Sequence, residues 1–255
     1  MMDLSVQNCQ AIVKSHYDAL EVKDKKQRRK LAHALRVWEL CQEISAKLAQ
    51  EERPRLHPEL LTAAALLHDI AKFDSDRLHH LQAIDIIRNG LGQESDEGEA
   101  ALSALDQMIL AHKDGFNPSP IYAADAAILR MADKIDQVRR KTRKSAKSRA
   151  DVEEAKEKVA RAEAKYKKAK KEGDLEKMHD KKRKLEEKEA KLKEKKDKLK
   201  EELQELQEAR EHFQGSLEKI TAYAQSESHG SCAPAFAQSL SGICESMQSC
   251  EDMPV

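Results

Sequence analysis

Apolar residues recur along the chain at helical spacing, and nowhere at the two-residue spacing of strands. Residues 4–22 carry Val6, Ile12, Val13, Tyr17 and Leu20 on a helical repeat. Residues 30–51 place Leu31, Ala34, Leu35, Trp38, Cys41, Ile44 and Leu48 along one amphipathic face. Pro54 and Pro58 interrupt the chain, and a short apolar helix is expected over 58–73. A further helix, 76–91, has Leu81, Ile84, Ile87 and Leu91 as its apolar face and is ended by Gly90 and Gly92. Two more follow, over 98–112 and from Pro120 onward, separated by the turn-rich KDGFNPSP.

From about residue 139 the period changes. Val152, Val159 and Tyr166 recur every seven residues, with Ala155, Ala162 and Ala169 between them. After the break at 172–174, Met178, Leu185, Leu192, Leu199, Leu206, Phe213 and Ile220 repeat every seven residues without a gap. Sustained heptads between charged flanks predict a coiled coil. The single break at Gly173 folds it into two antiparallel arms, each roughly 65–70 Å long at about 1.5 Å per residue. Lys182, Glu189, Lys196 and Arg210 are expected at the complementary core position, which makes the seam narrow and partly polar. The fold class is therefore all-α. A helical bundle over 1–140 precedes a charged hairpin over 141–222. A Ser- and Cys-rich tail over 223–255 carries one short helix that packs on the bundle.

Composition sharpens this division. Of 255 residues, 36% are charged and 4% aromatic, so the chain is not one packed core throughout. The formal net charge is zero, and bulk charge names no polyanionic partner. The five cysteines (Cys9, Cys41, Cys232, Cys244 and Cys250) are odd in number and lack CxxC spacing, as expected of reduced thiols rather than a disulfide framework. The N-terminus has no basic start followed by an apolar run, and no stretch reaches the roughly 20 apolar residues of a membrane span. A cytoplasmic protein is the expectation. The run RRKTRKSAKSR, 139–149, has seven basic residues and no acid. It is expected to be a solvated helix face, with nucleic-acid or phosphate attraction as the lesser alternative.

Chemistry concentrates in LLHDIAK, 66–72. His68 and Asp69 stand together inside an apolar run, where both are costly to desolvate without partners. A divalent metal suits both, since imidazole and carboxylate are ligands for the first-row ions and magnesium. Further candidates lie on other predicted helices: His33 at an apolar edge, His79 or His80, His112 beside a turn, and Asp133 between Met131, Ala132 and Ile135. Lys72, one turn past His68, reaches toward an anionic substrate or else snorkels at the surface. Asp125 and Asp136 read as ordinary exposed acids.

The order His, His-Asp, Asp resembles the HD superfamily of metal-dependent phosphohydrolases. The resemblance is carried by HALRVWEL around His33, AALLHDIAK around His68 and Asp69, and AAILRMADKID around Asp133, over residues 25–140. It implies an all-helical bundle that holds one or two divalent ions (Mn, Fe, Co, Ni, Zn or Mg). His33, His68 and Asp133 would hold one ion, Asp69 would bridge, and His79 or His80 with His112 would hold the other. HHLQAIDII is similar to the family's His-x3-Gly-Ala pattern with Ala83 at the Gly position, which favours His79; helical facing favours His80. The implied activity is hydrolysis of a phosphate ester or anhydride, in a nucleotide, by a metal-activated water, with Lys72 neutralising phosphoryl charge. HKDGFNPSP lacks the Gly-Tyr-Pro of the cyclic-dinucleotide phosphodiesterases, which argues against that subfamily. The competing expectation is a scaffold that binds a protein partner, itself or nucleic acid through the hairpin, with the metal site structural or regulatory.

Overall fold

The structure, a computed structural model, describes residues 3–48, 56–73, 79–91, 96–113, 116–226 and 232–249. Pro54, Gly92 and Cys250 lie outside the described residues, as does the end of the tail beyond 249. Eight α-helices form among the described residues, and no strand does. They are α1 Val6–Ala19, α2 Asp24–Lys47, α3 Pro58–Leu67, α4 His79–Leu91, α5 Asp96–Ala111, α6 Ala123–Glu172, α7 Leu175–Ala224 and α8 Pro234–Ser249. Short 3-10 turns at Ile70–Phe73 and Pro120–Tyr122 precede α4 and α6. No described helix is long and apolar enough to cross a membrane.

Two compact units form, one from 1–137 with 212–255 and one from 138–211. In the first, α3 packs against α1, α2 and α5; α4 packs against α1 and α5; and α8 packs against α2. The Ser5 side chain caps α1, accepting from the Asn8 N–H. Cys9, Val13 and Tyr17, four residues apart, form the buried face of α1, whereas Leu20 is exposed. The basic run KDKKQRRK is the opening of α2, which starts six residues before the expected boundary at 30. Within that run Gln27 is buried, and its amide donates to Asp18 Oδ1 and the Val22 carbonyl.

The first turns of α6 are the centre of this unit. From Ala123 to Ala132 every residue is buried, and half are alanines. A helix surrounded in this way must be apolar on every side or must pair each polar group it carries. Asp125 and Asp136 therefore correct the expectation of exposed acids, for both are buried. Asp125 accepts the His57 N–H and faces His57 Nδ1, each at 3.0 Å, which ties the start of α3 to α6. Burial raises the Asp125 pKa above the usual carboxylate value, against the lowering effect of His57. The α4 face also differs from expectation. His79, His80, Ala83 and Ile87 are buried, while Leu81 is exposed. The stripe that continues His79 every four residues wins because the bundle covers that side.

The second unit pairs the length of α6 from 138 with α7 to 211. Gly173, at φ 72, makes the turn between them in a left-handed conformation that glycine adopts without penalty. Asp174 caps α7 by accepting the Lys177 N–H at 3.0 Å. Lys141 pairs with Glu205, Lys144 with Glu202 and Glu205, and Lys195 with Asp151, so the two helices run antiparallel. The basic residues Lys141 and Lys144 thus face acids of α7 in the same unit. The complementary stripe differs from the expected one. Lys181, Lys188 and Lys195 are half-buried and Glu202 is buried, whereas Lys182, Glu189 and Lys196 are exposed and Arg210 is half-buried. The seam runs three residues after each of Met178, Leu185, Leu192 and Leu199, and lysine stems cover it while their charges reach water.

Candidate metal centre

The helix expected over 58–73 stops at Leu67, one residue before the His-Asp pair. The His68 ring itself supplies the reason. Its Nδ1 bonds the Ala65 carbonyl at 2.9 Å, the carbonyl to which the next turn of helix would attach. The chain then turns through Asp69 into the 3-10 turn Ile70–Phe73. The same device ends α5, where His112 Nδ1 bonds the Ile109 carbonyl. In both rings the hydrogen must sit on Nδ1 for this bond to form, and Nε2 keeps its lone pair.

The two rings lie side by side in a cluster of four. The ring centroids of His33 and His68 are 5.3 Å apart, those of His68 and His112 5.2 Å, and those of His112 and His79 6.0 Å. Two carboxylates close the arc. Asp133 Oδ1 lies 3.5 Å from His33 Nε2 and 4.0 Å from His68 Nε2. Asp69 Oδ1 lies 3.2 Å from His79 Nε2 and 4.0 Å from His68 Nε2, and its Oδ2 lies 3.7 Å from His33 Nε2. The donors form two groups, His33 with His68 and Asp133, and Asp69 with His79 and His112, each with its atoms within 4.8 Å of one another.

This donor set fits a divalent ion. His68 is fully buried, yet its Nε2 has no hydrogen-bond partner, a costly arrangement unless a ligand completes it. Burial lowers the pKa of His68 below the usual histidine value, and it holds that of His112 at about 3. Both rings are therefore neutral, the form that ligates. Burial raises the pKa of Asp69, but His68, His79, Lys30 and Lys72 outweigh it and hold the carboxyl well below the ordinary range. Asp133 is likewise ionised, with Lys134, His33 and His68 opposing its burial.

Of the residues expected at the site, His33, His68, Asp69, His79, His112 and Asp133 come together. His80 is buried beside His79 but belongs to neither donor group. Lys72 approaches Asp69 Oδ1 at 3.9 Å. Five supporting contacts had no place in the sequence expectation. Asp136 Oδ2 holds His33 Nδ1 at 2.7 Å and is itself gripped by Arg36 at 2.6 and 3.1 Å. The Gln137 amide donates to Asp133 Oδ2 at 2.7 Å. Lys30 and Lys134 reach Asp69 and Asp133. Asp136 and Gln137 follow Asp133 by three and four residues on one helix, and that spacing was the available signal.

Histidines and aspartates from five chain segments of an all-helical unit thus form two groups that could hold metal ions. Residues 31–138 match the HD domain family model. No curated protein and no solved structure matches the chain.

Proposed function

We propose that the chain is a hydrolase that removes or transfers to water a phosphoryl group of a small phosphorylated molecule, a nucleotide being the best candidate. The HD domain is the catalytic part, and the hairpin 138–211 is a separate structural arm. One observation carries the assignment: four imidazoles and two carboxylates converge in two adjoining groups, each residue presenting one nitrogen or oxygen to its group. His33, His68 and Asp133 would hold one divalent ion, and His79 and His112 a second, with Asp69 shared between the groups. When bound, such ions supply Lewis-acid charge and bring the pKa of a water toward neutrality.

The chain's own residues do the remaining work. Asp136 and the Ala65 and Ile109 carbonyls fix three rings in one tautomer, so no reorganisation is required at the moment of reaction. Gln137 holds one oxygen of Asp133 and leaves the other to the centre. Lys72 offers positive charge beside Asp69 for the phosphoryl oxygens of a substrate.

The test is metal content and phosphate release measured together. Protein purified without chelator is assayed for bound transition metal, then screened with Mn²⁺ against nucleotides and dinucleotides beside Asp69→Ala. Bound metal with turnover that disappears in the variant supports a phosphohydrolase. Wild-type protein that neither binds metal nor releases phosphate refutes it.

A further inference from the structure

Each acid of the centre is divided between two kinds of neighbour. In Asp133, Oδ1 faces His33 and His68, while Oδ2 takes the Lys134 ammonium at 3.0 Å. In Asp69, Oδ1 faces His79 and His68 with Lys72 farther off at 3.9 Å, while Oδ2 takes the Lys30 ammonium at 3.1 Å and has His33 Nε2 at 3.7 Å. The two lysines come from different helices, Lys30 from α2 one turn before His33 and Lys134 from α6 next to Asp133. Neither is an exposed surface charge, for their side chains are 24% and 14% accessible. The third acid, Asp136, needs neither lysine, because Arg36 already grips both its oxygens.

Ammonium groups and divalent ions draw on the same carboxylate charge. Two lysines on Asp69 and Asp133 satisfy these acids without a metal and repel any cation that joins them. Divalent ions would release both ammonium groups at the edge of the centre, where the oxygens of a phosphate would arrive. Lysine suits such an exchange. Its charge is a point at the end of a flexible stem, unlike the fixed fork of Arg36.

We infer, on the basis of the phosphohydrolase function proposed above, that Lys30 and Lys134 are exchangeable counter-cations: they neutralise Asp69 and Asp133 in the metal-poor protein and bind the phosphoryl oxygens of the substrate once divalent ions occupy the centre. They thus oppose metal binding and favour phosphate binding. A lysine that only orders the site would support both.

The experiment uses the full chain with Lys30→Met and Lys134→Met, which keep most of the apolar stem and remove the charge, and Lys30→Gln as a second variant at the first position. Mn²⁺ is titrated by calorimetry without phosphate, and inorganic phosphate is then titrated into Mn²⁺-loaded protein. Each variant is expected to bind Mn²⁺ about tenfold tighter and phosphate about tenfold weaker, as loss of one nearby positive charge requires. Affinities that fall together, or that do not move, overturn the exchange. Wild-type protein that binds Mn²⁺ and hydrolyses substrate while the variants show no opposed shifts refutes the exchange alone. Wild-type protein that binds no Mn²⁺ refutes the phosphohydrolase function with it.

Discussion

The HD domain and the hairpin are both helical, yet they solve opposite problems. Around α6 residues 123–136 the domain buries aspartates and an arginine within a small-residue core, and satisfies them with partners from distant segments. Asp125 meets His57, Asp136 meets His33 and Arg36, and Arg130 donates to the Ala111 carbonyl. The hairpin keeps its charges at the surface, apart from the buried Glu202, and covers a thin apolar seam with lysine stems. Polar groups in the domain are held by sequence-distant contacts, and those in the hairpin by neighbours one turn away or directly across. Burial therefore costs much at one end of α6 and little at the other.

Core truncation is the hardest way to test that contrast. Leu67 is fully buried, and Leu67→Ala is expected to lose about 2–5 kcal/mol. Leu192 is only half-buried in the seam, and Leu192→Ala is expected to lose about 1 kcal/mol or less. Chemical denaturation of both variants checks this, and equal losses would break the comparison. Next in size is Asp136→Asn, which leaves an acceptor for His33 but removes the charge that Arg36 balances. Metal affinity should fall about 10- to 100-fold, as loss of a supporting carboxylate usually produces, with the fold kept by circular dichroism. An unchanged affinity would reduce Asp136 to a packing role. Smallest is Gly173→Ala at the positive-φ turn, expected to cost about 1 kcal/mol and to lower only the melting of the hairpin.

The same contrast explains what could be read from the chain alone. Heptads are local, so Met178, Leu185, Leu192 and Leu199 announced the hairpin without help from the rest of the fold. The second stripe did not follow, because positions three and four residues on are equally good in a seven-residue repeat, and only the partner helix chose Lys181 over Lys182. His68 and Asp69 stood out because an imidazole and a carboxylate do not belong unaided in an apolar run. The stop after Leu67 was hidden. No Gly or Pro marks it, and the agent is a ring nitrogen that doubles as the anchor of a candidate ligand. Asp136 looked solvated because Lys134, Gln137 and Arg139 stand near it in sequence, and what makes it internal is its pairing with His33 and Arg36 of α2.

The ion pairs of the hairpin have a consequence for how the arm can change in length. Lys141 and Glu205, Lys144 and Glu202, and Lys195 and Asp151 each lie equally far before and after Gly173. An insertion in one arm alone would shift every pair beyond it out of opposition. A matched gain or loss of seven residues on both sides would restore each partner and keep the seam facing inward. The arm can thus grow or shorten in steps of one repeat per strand, with a spelling rule that any designed or natural variant of it has to obey.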